Sequence, residues 1–469
     1  MNRSSWDMIS RWPAVCVGLP KIAGPHPDGG AQGMLSLSHD RLCRMAQVGV
    51  GAISAMENVL YGQLGGPGGI AAYLDLQGGE DWAELLLESA TFSVGSSRCD
   101  IVEHRGQWKV LEINATNAGG WIGKATLGTV FGGPLSGEKD YAFAIDTTGL
   151  LLYHLYCEGA CRGIVAEGEP AQLGLIVSGH STEEFSGHFL AECEASLQRL
   201  RHAQPGFPGL NIQFVRWPEL VFSGSDVHSR GHRLHILFET EIVECSHRLL
   251  ATDAASQGTV LLVSGPFAQI ANDKRLFAMI SELIDASDHG SSAFTALRGA
   301  VPWTRCMRDQ RTSYRQSQVR LPAFVRSRQA SLVLKQALSA NGNGVFIGHA
   351  TPVNAWERLV ERSLAERDWI VQEWIEPDLQ PGIGQHTNEV RGMHIVWGAF
   401  VIGGSFAGGF GRLLEADGYP AVQNHSGKVA EARPVCHSRN ADTRVPIFPI
   451  HWRDSERSIQ VSSLRSDSH

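Results

Sequence analysis

No apolar run in this chain approaches the length of a bilayer, so no membrane-spanning segment is expected. Charge of one sign is also scarce. The net charge is -8 over 469 residues, too mild to mark a nucleic-acid or anionic-membrane surface. The first apolar residues are interrupted by Asp7 and Arg11, which argues against a secretory leader and makes a cytoplasmic location the expectation. Nine cysteines are scattered along the chain. Cys157 and Cys161 are spaced like one half of a zinc site, but no second pair stands at ligand spacing. Reduced thiols are therefore expected. A Walker lysine loop and a nucleophile elbow are both missing, and Gly265 to Lys274 does not form a dinucleotide fingerprint. There is no internal repeat.

What is present is an ordinary globular composition, 43% apolar and 19% charged, on a chain too long for one core. Two or three packed units are expected. Periodicity predicts a helix from Asp40 to Tyr61, ended by a glycine-rich run, and another from Asp81 to Ala90. Arg98 to Val102 and Trp108 to Ile113 read as a β-hairpin turning at His104-Arg105-Gly106. In residues 150–265, strands at Leu173 to Val177, Asn211 to Val215 and Thr259 to Val263 accompany a helix around Phe189 to Arg201. That alternation predicts an open, largely parallel sheet. Residues 266–380 begin with a helix from Asp273 to Ile284. A strand at Leu332, a glycine loop, a strand at Val345, a helix from Val353 to Glu366 and a strand from Trp369 to Glu373 follow. Val390 to Phe406 is β-rich. The tail, 453–469, is polar and Ser-rich, the composition of a disordered segment.

Two groups of residues carry chemistry. The first is Arg98, Asp100, Glu112 and Asn114. Glu112 and Asn114 are two apart on a strand and share a face, and the hairpin partner brings Asp100 beside them. Two carboxylates about 4 Å apart repel by roughly 4 kcal/mol at the effective dielectric of a protein surface. A divalent cation removes that cost, and a set of two acids and an amide suits Mg²⁺. A solvated hairpin with outward charges is the plain alternative.

The second group begins at Lys335, which ends the apolar strand Leu332-Val333-Leu334-Lys335. An ammonium at a buried strand end needs an anion. The loop after it contains Asn341, Gly342, Asn343 and Gly344, and its N–H groups can approach phosphates without Cβ clashes. By itself Asn-Gly is also the commonest hairpin turn signal. Gln372-Glu373-Trp374-Ile375-Glu376 follows one helix later. Lys274 opens a helix that Asn272 or Asp273 can cap. Arg391 and Arg412 offer forks for a carboxylate or phosphate. His228, His232 and His235 sit in a polar run that reads as a solvated loop entering a strand.

Taken together, R-x-D-x(11)-E-x-N and the lysine strand, glycine loop and hinge resemble the ATP-grasp ligases. The metal group precedes the nucleotide group, which resembles the circularly permuted branch that includes glutathionylspermidine synthase. The resemblance runs discontinuously from about Asp81 to Lys428. It implies an α/β (α+β ATP-grasp) protein with two circularly permuted lobes and an open α/β pre-ATP-grasp domain. Residues 1–145 would hold the metal-binding half of the second lobe, and 385–435 its remainder. Residues 150–265 would form the pre-ATP-grasp domain and 266–380 the nucleotide lobe. The strand around Arg391 would join the sheet of the metal hairpin.

The resemblance also implies roles. Asp100, Glu112 and Asn114 would hold Mg²⁺, with Mn²⁺ as the alternative. Lys274, Lys335, Asn341, Gly342 and Gly344 would bind the ATP phosphates. Gln372, Glu373, Trp374, Ile375 and Glu376 would line the base and ribose. Arg98, Arg391 and Arg412 would serve the reacting phosphoryl group. Asn117 to Trp121 would contact substrate or simply exit the strand, and Asn424 to Lys428 would lie near the acyl phosphate. The implied reaction joins a small carboxylic acid to an amine or amino acid through an acyl phosphate, with no membrane or nucleic-acid partner. A homo-oligomer is compatible. A kinase that stops at phosphoryl transfer, a non-catalytic nucleotide-binding protein and an unrelated α/β enzyme remain as rivals.

Overall fold

The computed structural model describes residues 33–64, 67–75, 96–115, 141–142, 146–177, 183–239, 246–263, 270–286, 292–339, 344–383, 390–415 and 430–438. The expected helix from Asp81 to Ala90, the segments Asn117 to Trp121 and Asn424 to Lys428, and the tail 453–469 lie outside these residues. The fold is mixed α/β.

The largest sheet has eight strands. Its centre is the long strand Val390–Ile402, which pairs antiparallel with Ser96–His104 on one side and Ser405–Glu415 on the other. Gln107–Asn114 closes the edge as the hairpin partner of Ser96–His104. The turn is Arg105-Gly106, both with positive φ. One face of this sheet presents Cys99, Ile101, Trp108, Val110, Ile113 and Trp397 to a shared core. The helix His39–Asn58 fills that core with Leu42, Met45, Ile53 and Met56. Period-two alternation therefore turns Arg98 and Asp100 to the opposite face.

The hairpin departs from strict pairing at one place. Asp100 faces Glu112 and Ile101 faces Val110, so Leu111 is an extra residue, a β-bulge. Its cause is legible in the apolar pattern. Trp108 and Val110 alternate, then the next buried position is Ile113 rather than Glu112. Without the slip, Glu112 would enter the core and Ile113 would leave it.

A second sheet has four parallel strands in the order Leu261–Val263, Ile236–Glu239, Ala171–Ile176, Leu210–Val215. The helix Thr147–Cys161 packs on it, and their core extends to Phe400, Ile402 and Ala407 of the large sheet. His228 and His232 lie on two neighbouring strands of a small antiparallel meander rather than in a loop. Here cross-strand pairing orders a polar run that has no apolar period of its own.

The third sheet is antiparallel, ordered Thr304–Cys306, Trp369–Glu373, Leu332–Gln336, Val345–Ile347. Leu332, Leu334, Trp369 and Val371 point to one face, where Trp356 and Val360 of the helix Val353–Glu366 complete the core. Alternation turns Val333, Lys335, Ile370 and Gln372 to the other face. The helix Lys274–Ala286 lies on that side, and its Leu276, Phe277, Ile280 and Ile284 belong to the core of the large sheet. One amphipathic helix thus joins the two sheets.

The short helix Pro67–Leu74 is fixed to the third-sheet side. Tyr73 packs with Ala278, Cys306 and Ile370, and Arg275 Nη1 donates to the Leu74 carbonyl at 2.5 Å. Arg275 is itself held by the buried Asp273 carboxylate at 2.6 Å.

Candidate functional site

The hairpin and the third sheet meet at the bulge. Lys335 is 8% exposed, and its Nζ donates to the Leu111 carbonyl at 3.1 Å. Gln372 Nε2 reaches the same oxygen at 3.4 Å and Thr304 Oγ1 at 3.1 Å. Next along the hairpin, Glu112 Oε1 lies 3.5 Å from Lys274 Nζ. Lys274 Nζ also donates to the Ser339 carbonyl at 2.6 Å, at the start of the glycine loop. Burial pushes the Lys335 ammonium down to about 8, opposed by the nearby Glu112 and Asp100 carboxylates and reinforced by Lys274. The two groups of residues are therefore in direct contact at the bulge.

Asp100 is cross-strand from Glu112. Arg98 Nε donates to its Oδ1 at 2.7 Å, and Arg412 Nη2 to its Oδ2 at 2.6 Å. Burial opposes ionisation, but the two guanidiniums outweigh it and hold Asp100 well below the usual carboxylate range. Asn114 is cross-strand from Arg98 and its Nδ2 donates to the Arg98 carbonyl at 3.5 Å. The amide oxygen is thereby turned from that contact.

Lys335, Lys274, Arg98 and Arg412 stand against Asp100 and Glu112, leaving an excess of two positive charges in one partly dry cluster. Such a surplus favours a polyanion. The donor set also fits a hard cation. Asp100 and Glu112 are opposed carboxylates, Asn114 supplies an amide oxygen on the same face as Glu112, and no sulfur or imidazole competes. Each carboxylate has about four lone-pair sites, so the arginine contacts leave acceptor capacity on Asp100.

At the glycine loop, Asn341 and Gly342 lie outside the described residues. Gly344 has φ +67°, and a Cβ there would approach Gln336 Cβ to 2.8 Å. Its carbonyl accepts from Gln336 N at 2.9 Å. Any other residue would meet both strain and a clash.

The hinge is built by main-chain bonds. Glu373 N donates to Trp303 O and Trp374 N to Ser331 O, each at 2.8 Å. The Glu373 carboxylate accepts from Arg315 Nη2 at 2.9 Å. Arg315 stands in the turn of the exposed hairpin Arg311–Tyr314 and Ser317–Arg320. The Trp374 indole meets His349 edge-on, centroids 4.9 Å apart. Ile375 is buried. Glu376 is exposed, and its carbonyl accepts from His104 Nδ1 at 2.7 Å. Arg391 pairs with Gly382 at the main chain, and its strand joins the hairpin sheet.

Some contributors are not conspicuous in sequence. The Asp378 carboxylate receives the N–H groups of Arg105 and Gly106 at 2.8 and 2.9 Å, tying the hairpin tip to the segment after the hinge. Asn272 Oδ1 accepts from Ala115 N at 2.8 Å, where the hairpin ends. Both are single polar residues whose partners are remote in sequence, so no local pattern announces them.

This arrangement of sheets is shared with a solved structure. The chain superposes on an apo glutathione synthetase-like effector from Globodera pallida with a TM-score of 0.51 at 12% identity, over 86% of this chain and 88% of that one. A gamma-glutamylcysteine synthetase-like protein from Methylobacillus flagellatus KT gives a TM-score of 0.41 at 11% identity, over 80% and 88%. D-alanyl-alanine synthetase A from Vibrio cholerae gives 0.28 at 9% identity, over 56% and 73%. No family model and no curated protein matches the sequence. The chain thus shares the overall fold of the first of these structures.

Proposed function

We propose that the protein is an ATP- and Mg²⁺-dependent ligase that activates a carboxylate as an acyl phosphate and joins it to an amine. The observation that carries this reading is the meeting of Lys335 and Lys274 with Asp100, Glu112, Arg98 and Arg412 at one bulge. In this reading the lobes would keep the boundaries expected above, with the hairpin and the strand at Arg391 in one lobe and residues 266–380 in the other, in the order of the permuted branch.

Asp100, Glu112 and Asn114 would hold the divalent cation, which supplies charge neutralisation for phosphate oxygens when bound. Lys335 and Lys274 bind and orient the triphosphate from the opposite wall. Main-chain N–H groups of the sequence between Ser339 and Gly344 would serve the phosphates, and the Glu373 to Glu376 segment would take the base and ribose. Arg98 and Arg412, with Arg391 as the third candidate, would stabilise the charge that develops as the substrate carboxylate attacks the γ-phosphorus and ADP leaves. The amine then adds to the acyl carbon, phosphate departs, and the amine's proton passes to solvent or phosphate. The protein's part is positioning and electrostatic stabilisation, and no side-chain nucleophile is required.

The test is phosphate release from ATP against a panel of small carboxylic acids, amino acids and amines, with mass detection of products. Release that needs both an acid and an amine, with an amide formed, supports the ligase. Phosphate transferred to an acceptor with no amide would identify a kinase instead.

A further inference from the structure

Gln372 belongs to the hinge strand, yet its side chain turns inward. It is 2% exposed, and its amide donates to Thr304 Oγ1 and to the Leu111 carbonyl. Both N–H donors are therefore engaged. The residue after Gln372 is Glu373, whose main-chain N–H is bonded to Trp303. The residue after Leu111 is Glu112. The peptide that carries the Leu111 carbonyl also carries the Glu112 N–H, so rotating one re-aims the other.

Leu111 is the bulged residue, the only one in the paired part of Gln107–Asn114 freed from its ladder partner by the slip. Its carbonyl is held instead by Lys335 and Gln372 across the cleft. A bulge is a local irregularity whose peptide can reorient without breaking the flanking pairs. The far end of the hairpin is pinned separately by Asp378. Among the described residues, the Gln372 amide is thus the side chain of the hinge strand itself that reaches the Glu112 side of the hairpin.

We propose that Gln372 is a positioning residue that couples occupancy of the hinge to divalent-cation affinity at Asp100 and Glu112, with the Leu111 bulge as the moving part. This rests on the nucleotide reading above for the identity of the two ligands. It adds a thermodynamic property that the roles of the residues do not by themselves require. Coupling between two sites is reciprocal, so each ligand must tighten the other by the same factor.

The experiment uses adenosine, which has no phosphates and cannot touch the cation itself. Mn²⁺ binding to the full chain is followed by electron paramagnetic resonance, with and without saturating adenosine. Adenosine binding is followed by calorimetry, with and without Mn²⁺. The expected result is a mutual tightening of about fivefold or more in the unaltered protein. In Gln372→Met the factor falls to one, whatever the affinity of each ligand measured alone. Thr304→Val, which removes the amide's other anchor, retains only part of it. Mutual indifference of the two ligands in the unaltered protein overturns the proposal without any variant. Persistence of the full factor in Gln372→Met overturns it as well. Failure of both ligands to bind separately would instead bring down the nucleotide reading itself.

Discussion

The Lys335 ammonium donates to the Leu111 carbonyl at 3.1 Å, although the two residues are 224 positions apart. This contact joins the edge hairpin of the eight-stranded sheet to the interior of the third sheet. A charged donor on a bulge carbonyl is a modest substitute for a full counter-charge, and burial accordingly lowers the lysine's proton affinity. Ligand phosphate at the same position would supply what the carbonyl does not.

Replacing Lys335 should therefore separate binding from folding. Lys335→Met is expected to weaken ATP by about 1.5–3 kcal/mol, on the order of 10- to 150-fold, because a charge-assisted bond is lost. Its melting temperature should stay level or rise, since a buried ammonium is removed. Calorimetry showing unchanged ATP affinity would reject the assignment.

Glu112→Gln should remove metal-dependent turnover and weaken Mn²⁺ binding. The fold should survive, because Glu112 is only partly buried and the hairpin core is made by Trp108, Val110 and Ile113. A variant with near-normal activity at saturating Mg²⁺ would show that the cation is held elsewhere.

Glu57 makes a pH prediction. Burial raises its carboxyl from 4.5 to about 7. A carboxyl raised on folding stabilises the protein fully below its unfolded value, and that contribution is lost as pH rises through the folded one. Stability should thus fall between about pH 4.5 and 7 by an amount on the order of 3 kcal/mol. Glu57→Gln should flatten this part of the stability profile and be more stable than the parent at pH 8. Denaturant melts at pH 5 and pH 8 measure it, and parallel profiles for the two proteins would refute it.

The pair Glu239 and Arg248 is almost wholly buried, with Nε to Oε1 at 2.8 Å and Nη2 to Oε2 at 3.2 Å. Arg248→Met should cost about 3–5 kcal/mol by stranding a carboxylate. Adding Glu239→Leu should recover a large part of that loss. Chemical denaturation of the two variants decides it, and a double variant as unstable as the single one would contradict the argument.

Much of the local architecture was legible in the chain. The helix Val353–Glu366 begins and ends where its apolar period and its flanking residues predict. The hairpin strands, the lysine strand and the strand Trp369–Glu373 follow from runs of apolar and β-branched residues. The site residues Asp100, Glu112 and Lys335 stood out because charge at the end of, or on one face of, an apolar strand demands a partner. The bulge had a signal too, in the slip from Val110 to Ile113, but it needs a known core side to be read. Other elements left weaker traces. The strands Gly33–Ser38 and Ala430–Ser438 pair in parallel across nearly the whole chain, a pairing that no local pattern announces.

The sequence alone determined the type of each strong element and the chemical character of the residues on its faces, because periodicity and propensity act over a few positions. Tertiary structure decided which faces meet. Only packing brings Arg412 to Asp100 across 312 positions. Only packing sets Lys274 against Glu112 and turns the Gln372 amide to the Leu111 carbonyl. Hydrogen bonds between remote segments leave no local period, and their geometry is fixed by the order of strands in the sheets and by the helix Lys274–Ala286 that holds two sheets together.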